Sequence, residues 1–154
     1  MIRRTVGALS LSSTINEAQT EQELIVPLLA ELSWTDWLPQ VNASAKSRES
    51  VPDFLLFADT ASKALALAEK KDERRYQHGI AIVEAKRWLR PLDRGEVIDA
   101  LDPGAPSSQM LRYLSRVDVI SDRLVKWGIL TNGAVWRLYW QDAARGLRTS
   151  SRSI

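Results

Sequence analysis

The segment Gly79-Ile80-Ala81-Ile82-Val83 is a run of small or β-branched residues that closes abruptly on Glu84-Ala85-Lys86. Near-continuous apolar character of this kind marks a central strand covered on both faces, so the chain has to supply a layer on each side of a sheet. Strand alternation puts Glu84 and Lys86 on one face together with Ile80 and Ile82, while Ala81, Val83 and Ala85 face the other way. A carboxylate and an ammonium at the mouth of a buried strand each lose hydration worth several kcal/mol, so the site needs a compensator.

Around this strand the sequence alternates helix and strand signals. Ile15, Ala18, Ile25, Leu28, Leu29 and Leu32 recur at helical spacing, with Thr14 or Asn16 as cap, and Pro27 inside the pattern predicts a kink or a restart. Residues 34–39 read as a loop or short edge, and 40–45 as a weak strand. Val51 to Phe57 is a strand, followed from the Asp59-Thr60 cap by an Ala-, Leu- and Lys-rich helix to Tyr76. Pro91, Pro103, Gly104 and Pro106 mark a long loop between Arg90 and Ser107, and a helix from Ser107 or Ser108 runs to about Val119. Lys126 to Thr131 and Ala134 to Trp140 are strands joined by Asn132-Gly133, a strong hairpin signal. The order implies an α/β domain with a central mixed β-sheet flanked by helices, spanning residues 1–141. The Arg- and Ser-rich stretch 142–154 has too few apolar residues to pack and reads as a disordered tail.

Bulk properties narrow the function mainly by exclusion. The chain of 154 residues is 45% hydrophobic and 26% charged, as in ordinary globular domains, and has no apolar run near membrane-spanning length. It lacks cysteine, which rules out disulfides and thiolate metal sites, and a cytoplasmic location is the default expectation. The net charge of +2 resides in the tail, where Arg145, Arg148 and Arg152 face one acid, so the body is neutral and offers no global attraction to nucleic acid.

The compensator for Glu84 lies upstream. Pro52-Asp53 opens the apolar run Phe54-Leu55-Leu56-Phe57, and two neighbouring strands would bring Asp53 and Glu84 together. With the backbone carbonyl of Ala85 they supply the hard oxygen ligands magnesium favours, leaving positions for water and phosphate. Lys86 would then orient or deprotonate a bound water, or stabilise a pentavalent phosphorus. The competing reading is a surface ion pair. A second acid-x-Lys tripeptide, Glu69-Lys70-Lys71, occupies the charged end of the helix preceding the central strand and reads as a solvated face.

Two helices add candidates. A helical projection puts Glu21 between Leu28 and Leu32 on the buried stripe, with Glu17 at its edge. In the helix from Ser107, Met110, Leu111, Leu114 and Val117 form an apolar face, and Gln109, Arg112, Tyr113 and Arg116 share the other, suited either to phosphate and base contacts or simply to solvent. Trp127, Trp136, Tyr139 and Trp140 of the hairpin are expected in the core rather than as a base-stacking platform, and His78 is isolated.

Taken in order, Pro52-Asp53, Glu84-Ala85-Lys86, Gln109 and Tyr113 resemble the PD-(D/E)XK nuclease superfamily with its accessory Gln-x-x-x-Tyr motif. Asn16-Glu17-Ala18 leading to Pro27-Leu28-Leu29, Glu84-Ala85-Lys86-Arg87-Trp88, and the Trp127 to Tyr139 hairpin are similar to the N-terminal nuclease domains of type I and type IIG restriction enzymes, over about residues 16 to 140. The resemblance implies a restriction-endonuclease-like fold and a magnesium-dependent DNA endonuclease, with Mn²⁺ as a substitute ion. Asp53, Glu84 and the Ala85 carbonyl would bind metal, Lys86 would assist hydrolysis, and Glu17 would be the helix-borne acid in place of Glu21. Gln109 and Tyr113, with Arg112 and Arg116, would contact duplex DNA. Such domains normally precede a motor or methyltransferase, so a methyltransferase, motor or specificity domain or subunit is the expected partner. The stretch between Asp53 and Glu84 is longer than such a domain needs.

Overall fold

The computed structural model describes residues 16–44, 51–93 and 105–142. Most of the long loop before Ser107, and the tail apart from Asp142, lie outside the described residues. A five-stranded mixed sheet in the order β1-β2-β3-β4-β5 carries helices on both faces. The strands are β1 (Trp37–Pro39), β2 (Phe54–Leu56), β3 (Ala81–Ala85), β4 (Trp127–Thr131) and β5 (Trp136–Trp140). Only β3 and β4 run parallel; the other three pairings are antiparallel. The mixed α/β architecture and the central, fully buried strand read from Gly79 to Lys86 are both present.

The N-terminal helical rod has three parts: α1 (Glu17–Thr20), a π-helical turn (Glu21–Ile25) and α2 (Val26–Glu31). Asn16 caps it in a reciprocal box with Gln19. An ordinary α-turn would press the Pro27 ring against the Glu23 carbonyl, and the chain widens just upstream instead, the Val26 amide donating to the Glu21 carbonyl. The restart expected at Pro27 is therefore a π-turn followed by a fresh helix. Leu24, Ile25, Leu28 and Leu29 press it against Phe54, Leu56, Ala81, Val83, Ala85 and Ile129.

On the opposite face α5 (Pro106–Ile120) lays Met110, Tyr113, Leu114 and Val117 over Leu55, Ile82 and Leu130. Gly128 makes that approach possible, because a Cβ there would stand 2.5 Å from Met110 Sδ. Leu111, expected on the apolar face, is exposed; it lies a helical step away from Met110, towards solvent. Ile80 precedes the β3 ladder and packs with the helical-rod cluster, not beside Ile82.

Several element boundaries differ from the sequence reading. The helix expected to reach Tyr76 breaks into α3 (Thr60–Ala68), capped by Asp59, then α4 (Asp72–Arg75) and a 3-10 turn (Tyr76–His78). Glu69 and Lys71 adopt extended backbone at the break, where two adjacent lysines repel and Glu69 turns to His78 at 3.4 Å. Instead of a strand over 40–45, pairing falls on Trp37–Pro39, and Gln40 at φ 47 ends the extension. Val41 and Ala43 are nonetheless core residues, held by side chains: Tyr76 donates to the Val41 carbonyl and Arg116 to that of Ala43. The Asn132-Gly133 hairpin forms, with Gly133 at φ +84 and Asn132 Oδ1 accepting from the Ala134 and Val135 amides. Its tryptophans are not all core. Trp127 and Trp140 stack at 5.8 Å with 42% and 48% of their surface exposed, since the helical rod reaches only as far as Trp136 and Ile129.

Candidate active site

The register Phe54↔Val83, continued by one residue, sets Asp53 opposite Glu84 across β2 and β3. Asp53 is held there twice: its carbonyl accepts from the Gln40 amide, and its Oδ2 accepts from the Ala85 amide at 2.7 Å. Ala85, whose carbonyl is the expected third metal ligand, thus also ties Asp53 to the strand end through its N–H. Glu84 lies beside it with Oε1 2.6 Å from Lys86 Nζ. Both are sequestered, their side chains 3% and 7% exposed.

The helical rod brings two more acids to this end of the sheet. Glu17 Oε1 is 3.6 Å from Lys86 Nζ and its Oε2 is 3.9 Å from Arg90. Glu21, in the π-turn, feels the charges of Asp53, Glu17 and Lys86. The helical projection favours Glu21 and the motif Glu17, and the fold brings both to the charge cluster. Thr20, which the sequence reading passed over, fastens the rod to the strand end: its buried hydroxyl accepts from the Trp88 amide at 3.0 Å and donates to the Asn16 carbonyl. Its position, one turn after Glu17 and directly before Glu21, four residues from buried Leu24, is the available signal. Arg90 carries no pattern that would have flagged it.

Four carboxylates therefore share a pocket of charge with two cations, and burial acts on the acids accordingly. Desolvation, then the field of Asp53, pushes Glu84 up to about 8. Desolvation pushes Asp53 up to about 6 against the opposing pull of the Ala85 amide and Lys86. Desolvation also moves Glu21 up to about 7, with Asp53 and Glu17 adding to it. For Lys86 burial acts downward, yet Glu84 and the other acids outweigh it and the ammonium is held above its ordinary value. The Lys86 ammonium, 2.6 Å from Glu84 Oε1, opposes the upward shift of Glu84 without cancelling it, so Glu84, Asp53 and Glu21 bind protons as one coupled set.

The donor set suits a divalent ion in one specific respect. Glu84 Oε2 is buried with no hydrogen-bond partner, an expensive state for a carboxylate oxygen. Asp53 uses one oxygen on Ala85 and has the other to offer. No group of three or more acidic or imidazole side chains converges as a metal cage among the described residues. Magnesium does not require one, since it binds through one or two carboxylates, waters and substrate phosphates.

On α5, Tyr113, expected on the polar face with Gln109, is instead buried in the core beside Met110 and Leu114; Gln109 Nε2 donates to its Oη at 2.8 Å, and its hydroxyl is pushed up first by burial and then by the charge of Glu84. Arg112 is exposed. Arg116 is engaged elsewhere, donating to the Ala43 carbonyl and to Ser44 Oγ at 2.9 Å.

No match is found for the chain among protein-family models, curated proteins or solved structures. Among the described residues no helix is long and apolar enough to cross a membrane.

Proposed function

We propose that the chain is a magnesium-dependent DNA endonuclease on a restriction-endonuclease-like fold, hydrolysing phosphodiester bonds of duplex DNA as the cytoplasmic cleavage domain of a larger restriction–modification enzyme. The observation that carries this reading is the juxtaposition of Asp53 and Glu84 across β2 and β3, with an orphaned Glu84 oxygen and Lys86 against the other.

A magnesium or manganese ion held by Asp53 and Glu84 would neutralise charge on the phosphate and acidify a water. The chain's own residues do the rest. Lys86, kept protonated by its acidic surroundings, is suited to stabilising charge on the phosphoryl oxygens and to orienting the nucleophile; it is a poor base. Glu21, with a carboxyl near neutrality, is the acid matched to take a proton as the water oxygen bonds to phosphorus and the bond to the sugar oxygen breaks. Glu17, itself paired with Arg90, braces Lys86, and Gln109 with Tyr113 presents polar groups to the DNA backbone beside the scissile phosphate.

A second reading has its own support: the 2.6 Å Lys86–Glu84 pair and the lack of a three-ligand cage among the described residues fit a non-catalytic binding or assembly module. Incubating supercoiled DNA with the protein separates the two. The nuclease reading expects strand cleavage with Mg²⁺, none with chelator, and loss of cleavage in Asp53→Ala. Absence of cleavage, or cleavage untouched by chelator and by Asp53→Ala, contradicts it.

A further inference from the structure

The two edges of the sheet are finished differently. β1 is three residues long and ends in Pro39, two devices that blunt an edge against pairing with another chain. β5 is five residues, Trp136-Arg137-Leu138-Tyr139-Trp140, with no proline, no lysine and, among the described residues, β4 as its one neighbour. Its single charge, Arg137, is neutralised by Asp93 at 2.6 Å.

The hydrogen bonds next to the β4–β5 ladder fix which groups of β5 point away from it. The Gln141 amide donates to the Lys126 carbonyl and the Asn132 amide to that of Val135. In an antiparallel pair such bonded positions alternate, so Gly128 with Tyr139 and Leu130 with Arg137 are the bonded pairs inside the hairpin. The amides and carbonyls of Trp136, Leu138 and Trp140 consequently face the open edge. Their side chains share the sheet face with Trp127 and Ile129, beside an apolar cavity of about 300 Å³ lined by Trp34, Ile80, Ala81, Trp127, Ile129 and Leu138. Leu138 is 64% exposed and Trp140 48%. With Trp127 they present on the order of 300 Å² of apolar surface, comparable to the largest apolar patch of an ordinary monomer and lying along the open strand edge.

We propose that the occupant of this edge is a second copy of the chain, joined β5 to β5 in antiparallel fashion about a two-fold axis through Leu138. The strand is complementary to itself in that register. Leu138 meets Leu138 and Trp136 meets Trp140, and these are the residues whose backbone groups point outward, so every outward amide and carbonyl of the strand finds a partner. On one face Trp136, Leu138 and Trp140 of each copy merge into a continuous apolar stripe. On the other, Arg137 of each copy lies against Tyr139 of its partner, so no like charges are opposed. The two-fold closes the assembly, joining two five-stranded sheets into one and leaving the proline-blunted β1 at both outer edges.

Sedimentation of the full chain tests this, with hydrogen exchange read at single amides. The wild type is expected at twice 17.3 kDa, with the Trp136, Leu138 and Trp140 amides protected. Leu138→Lys and Leu138→Pro are each expected to return it to 17.3 kDa with the Trp136 and Trp140 amides exchanging freely and the melting temperature preserved, because the Leu138 side chain is exposed and its amide takes no part in the β4 ladder. A wild type that stays monomeric overturns the proposal, including one whose edge amides are protected by the chain's own segments. A dimer that survives both substitutions overturns it equally, because its surface must then lie elsewhere.

Discussion

The chain contains two acid-x-Lys tripeptides, Glu69-Lys70-Lys71 and Glu84-Ala85-Lys86, and the fold treats them oppositely. Glu69 sits at the break between α3 and α4, its side chain 30% exposed, and pairs with His78, leaving Lys70 and Lys71 in solvent. Glu84 and Lys86 close β3 inside the protein, in direct contact, with Asp53 across the sheet and two glutamates above. The same three-residue pattern gives a hydrated, solvent-screened surface feature in one place and an energetically costly charge cluster in the other. What differs is not the tripeptide but the strand that carries it and the neighbours that the topology delivers.

If that contrast is functional, the largest effects belong to the buried copy. Glu84→Ala or Lys86→Ala is expected to lower Mg²⁺-dependent cleavage by about 10²–10³-fold, the usual consequence of removing a preorganised charge at a reacting centre. Glu69→Ala and Lys71→Ala should leave the cleavage rate unchanged. Equal losses from both pairs would dissolve the distinction.

The pH dependence of stability comes next. Asp53, Glu21 and Glu84 all have folded-state values above their ordinary ones, so the folded chain binds more protons than the unfolded chain between about pH 4.5 and 8. Their contribution is fully present below that window and is lost as pH rises through about 6, 7 and 8 in turn. Thermal melts without divalent ions should therefore show the melting temperature falling from pH 5 to pH 9. Asp59 and Asp93 shift downward, and their opposing effect is confined to more acidic solution. Adding Mg²⁺ is expected to flatten the decline by stabilising the ionised acids. A melting temperature that rises steadily with pH would contradict the electrostatic account.

A smaller effect is expected from Asp53→Asn, which removes one of the crowded charges while keeping an oxygen for the Ala85 amide. At pH 8 without metal it should raise the melting temperature by about 2–4 °C, corresponding to about 1 kcal/mol in a chain of this size, while abolishing the response to Mg²⁺. Smallest of all, Glu69→Gln should alter stability by less than about 0.5 kcal/mol at any pH from 6 to 9.

Much of this contrast was legible beforehand, for identifiable reasons. The run from Gly79 to Val83 is too apolar to be anything but a covered strand, Asn132-Gly133 has few structural alternatives, and Pro27 announces an irregular turn. The pairing of Asp53 with Glu84 followed from two strands adjacent in sequence. Less was legible where tertiary groups replaced regular pairing. Val41 to Ser44 is buried without a strand because Tyr76 and Arg116 satisfy its carbonyls, contacts from residues far along the chain. The break at Glu69 depends on His78, and the exposure of Trp127 and Trp140 depends on how far the helical rod extends over the sheet. The choice between Glu17 and Glu21 was not resolvable from spacing, because a π-turn shifts the helical phase between them and the rest of the rod.

The most direct test of the central claim is Mn²⁺ binding followed by electron paramagnetic resonance at pH 7.5, comparing wild type, Asp53→Asn and Glu69→Gln. Saturable binding by wild type and Glu69→Gln, lost in Asp53→Asn, is the predicted result. Binding that is absent from wild type, or that survives Asp53→Asn undiminished, would show that the acidic end of β3 is not a divalent-cation site.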